Sequence, residues 1–170
     1  MNARPASTRI LFMCTANSCR SVLSEALFNH LAPAGFEAVS SGSFPSGRLN
    51  PQAVQTLHDL GISTEGLYSK DSSAFADSPP DIVITVCDKA AGEACPVYFG
   101  PAIKSHWGLA DPSDVHGTEQ QIRAAFDSTV ETIKQRFAAL FALDLNSLSD
   151  AELKTELDRI GAAAEFRKPL

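Results

Sequence analysis

The 170-residue chain predicts an α/β fold with a parallel sheet and helices on both of its faces. Segments with helical and strand-like patterns alternate along its length, which is typical of consecutive βαβ units. One strand-like segment, 81–86, is almost continuously apolar, as expected of a parallel strand buried on both faces. Ligands of such folds bind at the carboxyl ends of the strands.

The first half of the chain contains two strand-like and two helix-like segments. Ile10–Met13 is a short apolar run that predicts the first strand, and apolar residues at helical spacing follow it. Phe36–Ser40 predicts the second strand. Asn50 before Pro51 predicts an N-cap and a first helical position, so the second helix begins there and ends at Gly61.

The second half adds two strands and a long helix. A short helix is expected near 71–76, and strands are expected at 81–86 and 102–107. Thr118 and Gln121 form the pattern of a capping box at the start of a long amphipathic helix.

The end of the chain has a helix-start pattern of its own, Ser149 with Glu152, followed by apolar residues at helical spacing. We expect a single domain, 1–170, with a core at about 9–143 and a C-terminal helical extension at about 145–170. This extension packs either on the main body or on a second subunit, and the sequence favours neither.

Composition and charge exclude several classes of protein. A net charge of −6 argues against a nucleic-acid or anionic-membrane partner. No apolar run approaches the ~18 residues of a membrane span, and the run after the polar residues 1–8 is too brief for a signal peptide. We therefore expect a cytoplasmic protein whose four cysteines are reduced. None of them has zinc-site spacing, so no metal is expected from them.

The most informative feature is the string between the first strand and the first helix, Cys14-Thr15-Ala16-Asn17-Ser18-Cys19-Arg20-Ser21. Successive backbone N–H groups in such a loop form a concave anion site, and the helix N-terminus adds the positive end of its dipole. Arg20 can bind two oxygens of a tetrahedral oxyanion in a planar fork. The same positive field lowers the pKa of Cys14, so its thiolate can attack the bound centre.

The alternative for Cys14 is a small core hydrophobe at the end of a buried strand. The strand before it, the helix after it, and the Ser21 that follows Arg20 favour the catalytic interpretation. Cys19 is expected to pack beneath the loop, and a disulfide with Cys14 is the alternative for it.

Other residues suggest redox chemistry and proton transfer. Cys87 ends the third predicted strand, and Cys95 follows after a small, polar stretch, so the two thiols can approach each other at modest entropic cost. Together with Cys14 they would form a disulfide relay. The alternative is that Cys87 is a core residue and Cys95 is incidental. Asp111 before Pro112 is either a turn starter or a proton donor to a departing oxygen.

Together these residues resemble the thioredoxin-coupled arsenate reductases that share the fold of low-molecular-weight protein tyrosine phosphatases. The resemblance runs from about Ile10 to Phe137, and it includes the Cys14–Ser21 string, Cys87, Cys95 and the string His106–Pro112. It implies a flavodoxin-like three-layer sandwich with a four-stranded parallel sheet, to which this chain adds a C-terminal helical extension.

The resemblance also implies a reaction. Cys14 would attack arsenate held by the loop and Arg20, and Asp111 would be the general acid. Cys87 would then attack Cys14 and release arsenite, and Cys95 would resolve the disulfide on Cys87. Thioredoxin would reduce the resulting bond between Cys87 and Cys95.

Further roles follow from the same resemblance. Ser21 would hydrogen-bond the catalytic thiolate, and Asn17 would hold the loop backbone in shape. Asn17, Glu25 and Ser40 match positions that bind a potassium ion in some members of the family. Lys70 is a candidate to replace that ion with a fixed ammonium group.

Apart from its C-terminal extension, the chain departs from the family pattern at two points. Ala16 stands where glycine is usual, so a positive φ there would strain the alanine. The spacing of Cys87 and Cys95 is one residue longer than in the best-known members.

Two alternative functions remain. A low-molecular-weight tyrosine phosphatase would use the same loop and Asp111 without the downstream cysteines, and a redox-sensing oxyanion-binding protein is the other alternative. Glutathione with glutaredoxin is the alternative reductant.

Overall fold

The chain folds into a four-stranded parallel sheet with helices packed against it, as the sequence predicts. The computed structural model describes residues 8–75, 77–86 and 101–162. The sheet order is β2-β1-β3-β4 with every pair parallel, as in the predicted flavodoxin-like α/β fold. The strands are β1 (Thr8–Cys14), β2 (Phe36–Gly42), β3 (Ile82–Thr85) and β4 (Ile103–His106), and the helices are α1 (Arg20–Leu31), α2 (Pro51–Asp59), α3 (Glu119–Phe141) and α4 (Asp150–Ala162).

Predicted and observed element ends differ by one or two residues. β1 begins at Thr8 and continues to Cys14, and β2 extends to Gly42, because these two strands pair in register over their full lengths. β3 and β4 are each one residue shorter than predicted at both ends. The helix expected near 71–76 is a short 3-10 turn, Ser72–Phe75.

The carboxyl ends of the strands meet at one edge of the sheet. Cys14 lies opposite Gly42 of β2, and Met13 lies opposite Thr85 of β3. Thr85 is in turn opposite His106 of β4, and its hydroxyl oxygen is 2.8 Å from His106 Nδ1. The segments that follow these strands therefore begin side by side, where α/β folds bind their ligands.

Most of the core lies on one face of the sheet. Ile10 and Phe12 of β1 are completely buried in this cluster with residues of all four helices. The Phe137 ring centroid lies 5.7 Å from that of Phe12 and 5.1 Å from that of Phe28. Aromatic pairs at these separations stabilise a core beyond the burial of their area. The opposite face carries a smaller cluster around Leu11.

The helix starts follow the sequence signals. Asn50 Oδ1 accepts hydrogen bonds from two amides in the first turn of α2, at 2.9 and 3.0 Å. Thr118 and Gln121 form the predicted capping box at α3. At α4 the Ser149 amide donates to Glu152 Oε1 at 2.9 Å, and the Glu152 amide donates to Ser149 Oγ at 3.1 Å. Each cap satisfies amides that a helix N-terminus leaves without intrahelical partners.

α4 packs against β4 of its own chain. Its apolar residues Leu153, Leu157 and Ile160 are completely buried in the main core. Trp107, directly after β4, donates from Nε1 to the carbonyl of Leu157 at 2.8 Å. Gly161 makes a close approach, since a β-carbon there would lie 2.4 Å from Trp107 Cδ1. The sequence leaves open whether the C-terminal extension packs on the main body or on a second subunit. In the structure it packs on the main body.

The docking of α4 predicts a stability loss for Leu157→Ala. This change removes a fully buried side chain and leaves a cavity, so we expect the free energy of unfolding to fall by about 2–5 kcal/mol. Urea denaturation followed by circular dichroism measures this change. Thr155→Ala, at an exposed position of the same helix, is the control and should change the value by less than ~0.5 kcal/mol. Equal unfolding free energies for the two variants would contradict the packing of α4.

Candidate active site

The loop between β1 and α1 is held from outside through its backbone carbonyls. The donors are amides of the segment that follows β2, and a serine hydroxyl adds one further bond. The hydrogen bonds run from Ser43 N to Cys14 O (3.2 Å), Phe44 N to Thr15 O (2.8 Å), Ser46 N to Ala16 O (2.9 Å), Asn50 N to Ser18 O (2.8 Å) and Ser69 Oγ to Ala16 O (3.0 Å).

This support turns the amides of the loop toward its inner side. Peptide bonds of the described residues are trans, and in a trans peptide the C=O points away from the N–H of the next residue. The outward carbonyls therefore direct inward the N–H groups of Thr15, Ala16, Asn17 and Cys19. α1 begins directly after the loop, at Arg20, and contributes the positive end of its dipole. The loop thus presents a ring of donors suited to a tetrahedral oxyanion.

Asn17 holds the shape of this loop. It is completely buried and has a φ of 48°, a left-handed conformation that asparagine tolerates. Its Nδ2 donates to Ser21 Oγ at 2.9 Å and to Ser40 Oγ at 3.0 Å, and its Oδ1 accepts from the Lys70 amide at 2.9 Å. The left-handed residue is therefore Asn17 and not Ala16, so the alanine is accommodated without that strain.

Gly42, the last residue of β2, lets the loop lie against the sheet. A β-carbon at this position would be 2.5 Å from Thr15 O and 2.9 Å from Asn17 N. Both are backbone atoms of the loop, so a side chain would push the loop away. Gly42 is not among the residues that the sequence motifs indicate; the signal for it is a glycine at the end of the strand that pairs with the Cys14 strand.

Cys14 and Cys19 are both buried, and they do not form a disulfide with each other. Burial raises the pKa of Cys19 to about 12, and the carboxylate of Asp111 adds to this effect against the opposing charge of Arg20. A thiol with this pKa stays neutral at physiological pH and is a poor nucleophile. The side chain of Cys19 packs within the main core cluster.

Arg20 extends to the segment that follows β4. Its Nη1 donates to the carbonyl of Leu109 at 2.9 Å, and its Nη2 lies 3.3 Å from Asp111 Oδ2. Arg20 Nε is buried and has no hydrogen-bond partner within the described part of the chain. A buried donor left unpaired is costly in free energy, so an oxyanion that accepts from it would be stabilised.

Asp111 both starts a turn and points to Arg20. Its Oδ1 accepts from the amide and the hydroxyl of Ser113, at 2.9 and 2.6 Å, and so caps the 3-10 turn Pro112–Asp114. Its Oδ2 is the oxygen paired with Arg20. The turn and proton-donor interpretations of this residue are therefore compatible, since the turn fixes the carboxyl group and leaves one oxygen at the site.

An ion pair between Glu25 and Lys70 supports Asn17 from behind. Lys70 Nζ lies 3.8 Å from Glu25 Oε1, which also accepts from the Ser40 hydroxyl at 2.6 Å. Burial raises the pKa of Glu25 against the opposing effects of Ser40 and Lys70, and burial lowers the pKa of Lys70 against the attraction of Glu25. The side chains proposed to bind potassium are thus engaged with protein donors, and an ammonium group lies beside them.

Some expectations fall outside what the structure describes. Cys87 and Cys95 are not among the described residues, so the disulfide relay stays a prediction. Within residues 8–75, 77–86 and 101–162, no group of three or more His, Cys, Asp or Glu side chains is arranged to hold a metal ion. No helix in those same ranges has both the length and the apolar character to cross a membrane.

The close approach at Gly42 predicts that Gly42→Ala weakens oxyanion binding. The added methyl group would displace the backbone of Thr15 and Asn17, so we expect the affinity for inorganic phosphate to fall at least about tenfold, or ~1.4 kcal/mol. Isothermal titration calorimetry measures this affinity. Gly66→Ala is the control: its φ of 85° strains an alanine but no atom lies within 4 Å, so stability should fall without loss of phosphate affinity. Unchanged phosphate binding in Gly42→Ala would show that the loop does not form the anion site.

Comparison with known proteins agrees with this fold and this loop. Residues 9–158 match the family described as low molecular weight phosphotyrosine protein phosphatase. The arsenate reductase of Shouchella clausii (strain KSM-K16) is 32% identical over 127 residues, which cover 75% of this chain and 90% of that protein.

Solved structures show the same architecture. The thioredoxin-dependent arsenate reductase of Corynebacterium glutamicum superposes with a TM-score of 0.60 and 23% identity, covering 79% of this chain and 62% of that one. The YwlE arginine phosphatase of Geobacillus stearothermophilus superposes with a TM-score of 0.62 and 24% identity, covering 84% and 98%. At these identities the two structures establish the fold alone. With the match over residues 9–158, the chain belongs to the low molecular weight phosphotyrosine protein phosphatase family, and its relatives there include arsenate reductases.

Proposed function

We propose that this protein reduces arsenate to arsenite. The observation that carries the proposal is the loop that begins at Cys14: four of its carbonyls accept hydrogen bonds from outside the loop, so the amides that follow them face inward. Arsenate and phosphate share shape and charge, so the loop alone does not choose between them. The choice of arsenate is supported by the downstream cysteines Cys87 and Cys95 and by the arsenate reductase of S. clausii among the relatives.

In the first step the thiolate of Cys14 attacks the arsenic atom. An S–As bond forms as one arsenate oxygen leaves, and Asp111 gives that oxygen the proton it needs to depart as water. Arg20 and the loop amides hold the remaining oxygens, whose negative charge they stabilise in the transition state. The position of Asp111 Oδ2 beside Arg20 supports this assignment.

Reduction takes place in the second step. The thiolate of Cys87 attacks Cys14 Sγ, an S–S bond forms, and the electron pair of the broken S–As bond stays on arsenic, which leaves as arsenite. The two electrons that arsenic gains come from the two sulfurs. Cys95 then attacks Cys87, which frees Cys14 and leaves a disulfide between Cys87 and Cys95.

Thioredoxin is the proposed reductant of that disulfide. The C. glutamicum protein with the same fold is thioredoxin-dependent, and this supports the proposal. Glutathione with glutaredoxin is the alternative source of electrons. A cytoplasmic location, where cellular reductants keep thiols reduced, is proposed with it.

The second candidate function is hydrolysis of a phosphorylated substrate. It is favoured by the family itself and by the arginine phosphatase among the similar structures. Such an enzyme would use Cys14, Arg20 and Asp111 as above, with water attacking the phosphorylated cysteine. It would need neither Cys87 nor Cys95.

Replacing Cys87 with serine tests the proposal. We expect Cys87→Ser to abolish arsenate-dependent NADPH consumption in the presence of thioredoxin and thioredoxin reductase, because no second thiol then displaces arsenite. Slow hydrolysis of p-nitrophenyl phosphate should remain, since attack by Cys14 and then by water on the phosphorylated cysteine needs no second thiol, and it serves as the internal control. Loss of both activities would count against a relay role for Cys87.

The same assay separates the other possibilities. Wild-type protein that hydrolyses the ester but does not reduce arsenate is a phosphatase, whereas steady arsenate turnover excludes a sensor. Cys95→Ser should be inactive with thioredoxin. If it keeps most activity with glutathione and glutaredoxin, the reductant is glutathione and the assignment to thioredoxin is wrong.

We also propose that the Lys70 ammonium group serves in place of a potassium ion. Wild-type activity should then be the same in potassium chloride and in sodium chloride of equal ionic strength. Lys70→Met leaves Glu25 without its cation, so we expect its activity to fall and to recover partly in potassium alone. Lys154→Met removes an exposed ion pair instead and should have little effect. Wild-type activity that rises with potassium would overturn this proposal.

A further inference from the structure

Arginine side chains fix the segment that carries the proposed general acid from two sides. This segment, residues 107–111, is called the acid segment here. From the core side, Arg136 of α3 donates to the carbonyl of Trp107 at 3.0 Å and to that of Gly108 at 3.1 Å. From the site side, Arg20 donates to the next carbonyl at 2.9 Å. Three successive carbonyls of the acid segment are thus bound by guanidinium groups.

Arg136 is unusual because it is buried. Only 2% of its surface is exposed, although it belongs to a residue type that is almost never fully buried unless it is paired. Removing a guanidinium from water is costly, and bonds to well-placed acceptors offset that cost. Its planar fork binds two adjacent carbonyls at once, which fixes the orientation of both peptide groups. Arg136 is therefore bound to the start of the acid segment through both ends of its fork.

The same segment is anchored to the sheet and to α4. The amide of Trp107 donates to Thr85 O at 2.8 Å, and the amide of Leu109 donates to Val86 O at 2.9 Å, so the pairing of β4 with β3 continues past the strand. The indole of Trp107 donates to Leu157 O of α4 at 2.8 Å.

We propose that Arg136 is a positioning residue for Asp111 and that Trp107 and α4 complete its support. The inference rests on the proposed role of Asp111 as proton donor. Arg136 acts through the backbone of the acid segment and does not touch the oxyanion. Proton transfer requires the donor to lie within hydrogen-bond reach of the departing oxygen, so a small displacement of the segment lowers the rate.

A double-mutant cycle between Arg136 and Asp111 tests this proposal. Arg136→Gln should lower kcat about 10- to 100-fold while KM changes little, because the acid is displaced and the loop that binds the oxyanion is intact. In the Asp111→Asn background the same change should cost no further activity, since the group it positions is already gone. If the fold-losses in kcat of the two single variants multiply in the double variant, the two residues act independently and the proposal is overturned.

Arg123→Gln is the matched control. It removes a guanidinium from the same helix, where Arg123 pairs with Asp59 on the surface at 3.2 Å, and should change kcat less than about twofold. If Arg136→Gln does not fold, Gly161→Ala replaces it in the cycle. Its β-carbon would lie 2.4 Å from His106 O and 2.4 Å from Trp107 Cδ1, so it disturbs the start of the acid segment without removing a charge.

The readouts separate failure of this inference from failure of the proposed function. The cycle is measured on arsenate reduction and on p-nitrophenyl phosphate hydrolysis, since Asp111 would serve both. If neither is catalysed, hydrogen exchange decides: faster exchange of the Leu109 amide in Arg136→Gln, with the Leu23 amide of α1 unchanged, supports the positioning role. Unchanged exchange at Leu109 overturns it.

Discussion

Amides of the segment after β2 donate to the carbonyls of the loop after β1, and these hydrogen bonds determine which way the loop's own amides point. The proposed anion site depends on this constraint. Gly42 lets the two segments approach, and Asn17 supplies the left-handed turn that closes the ring. The proposed anion site is compatible with a net charge of −6, because the local dipoles of the loop, and not the overall field, determine the potential there.

The proposed general acid depends on a different part of the molecule. Asp111 lies at the end of a segment that extends β4, and that segment is held by a core arginine and by the C-terminal helix. The loop between β1 and α1 and the acid segment thus have separate supports, and Arg20 connects them by pairing with Asp111. Changes in the packing of α4 would reach the chemistry through the acid and leave the anion loop in place.

Periodicity and capping signals were enough to predict the element order, because they act within a few residues. The Thr118 capping box and the alternation of strands and helices are of this kind. The loop motif can be recognised from the sequence for the same reason, since its cysteine, amides and arginine lie within one short stretch of the chain. The position of the left-handed residue is not predictable in this way: it is Asn17, one position after Ala16.

Features that depend on distant pairs could not be read from the sequence. The amides that support the loop belong to a segment without helical or strand periodicity, and nothing local marks them as donors. Arg136 looks like an ordinary charged residue on a long helix, and only its contacts with Trp107 and Gly108 show that it is buried. The disulfide relay of Cys87 and Cys95 stays a prediction, since both lie outside the described residues.

Trp107 is the one tryptophan of the chain, and it sits where the C-terminal helix meets the acid segment. The residue is 2% exposed, and its indole N–H is bound to the backbone of α4. Indole emission shifts to longer wavelength when water reaches the ring. The emission of Trp107 therefore reports both the packing of α4 and the environment of the proposed acid. No label needs to be attached to the cysteines.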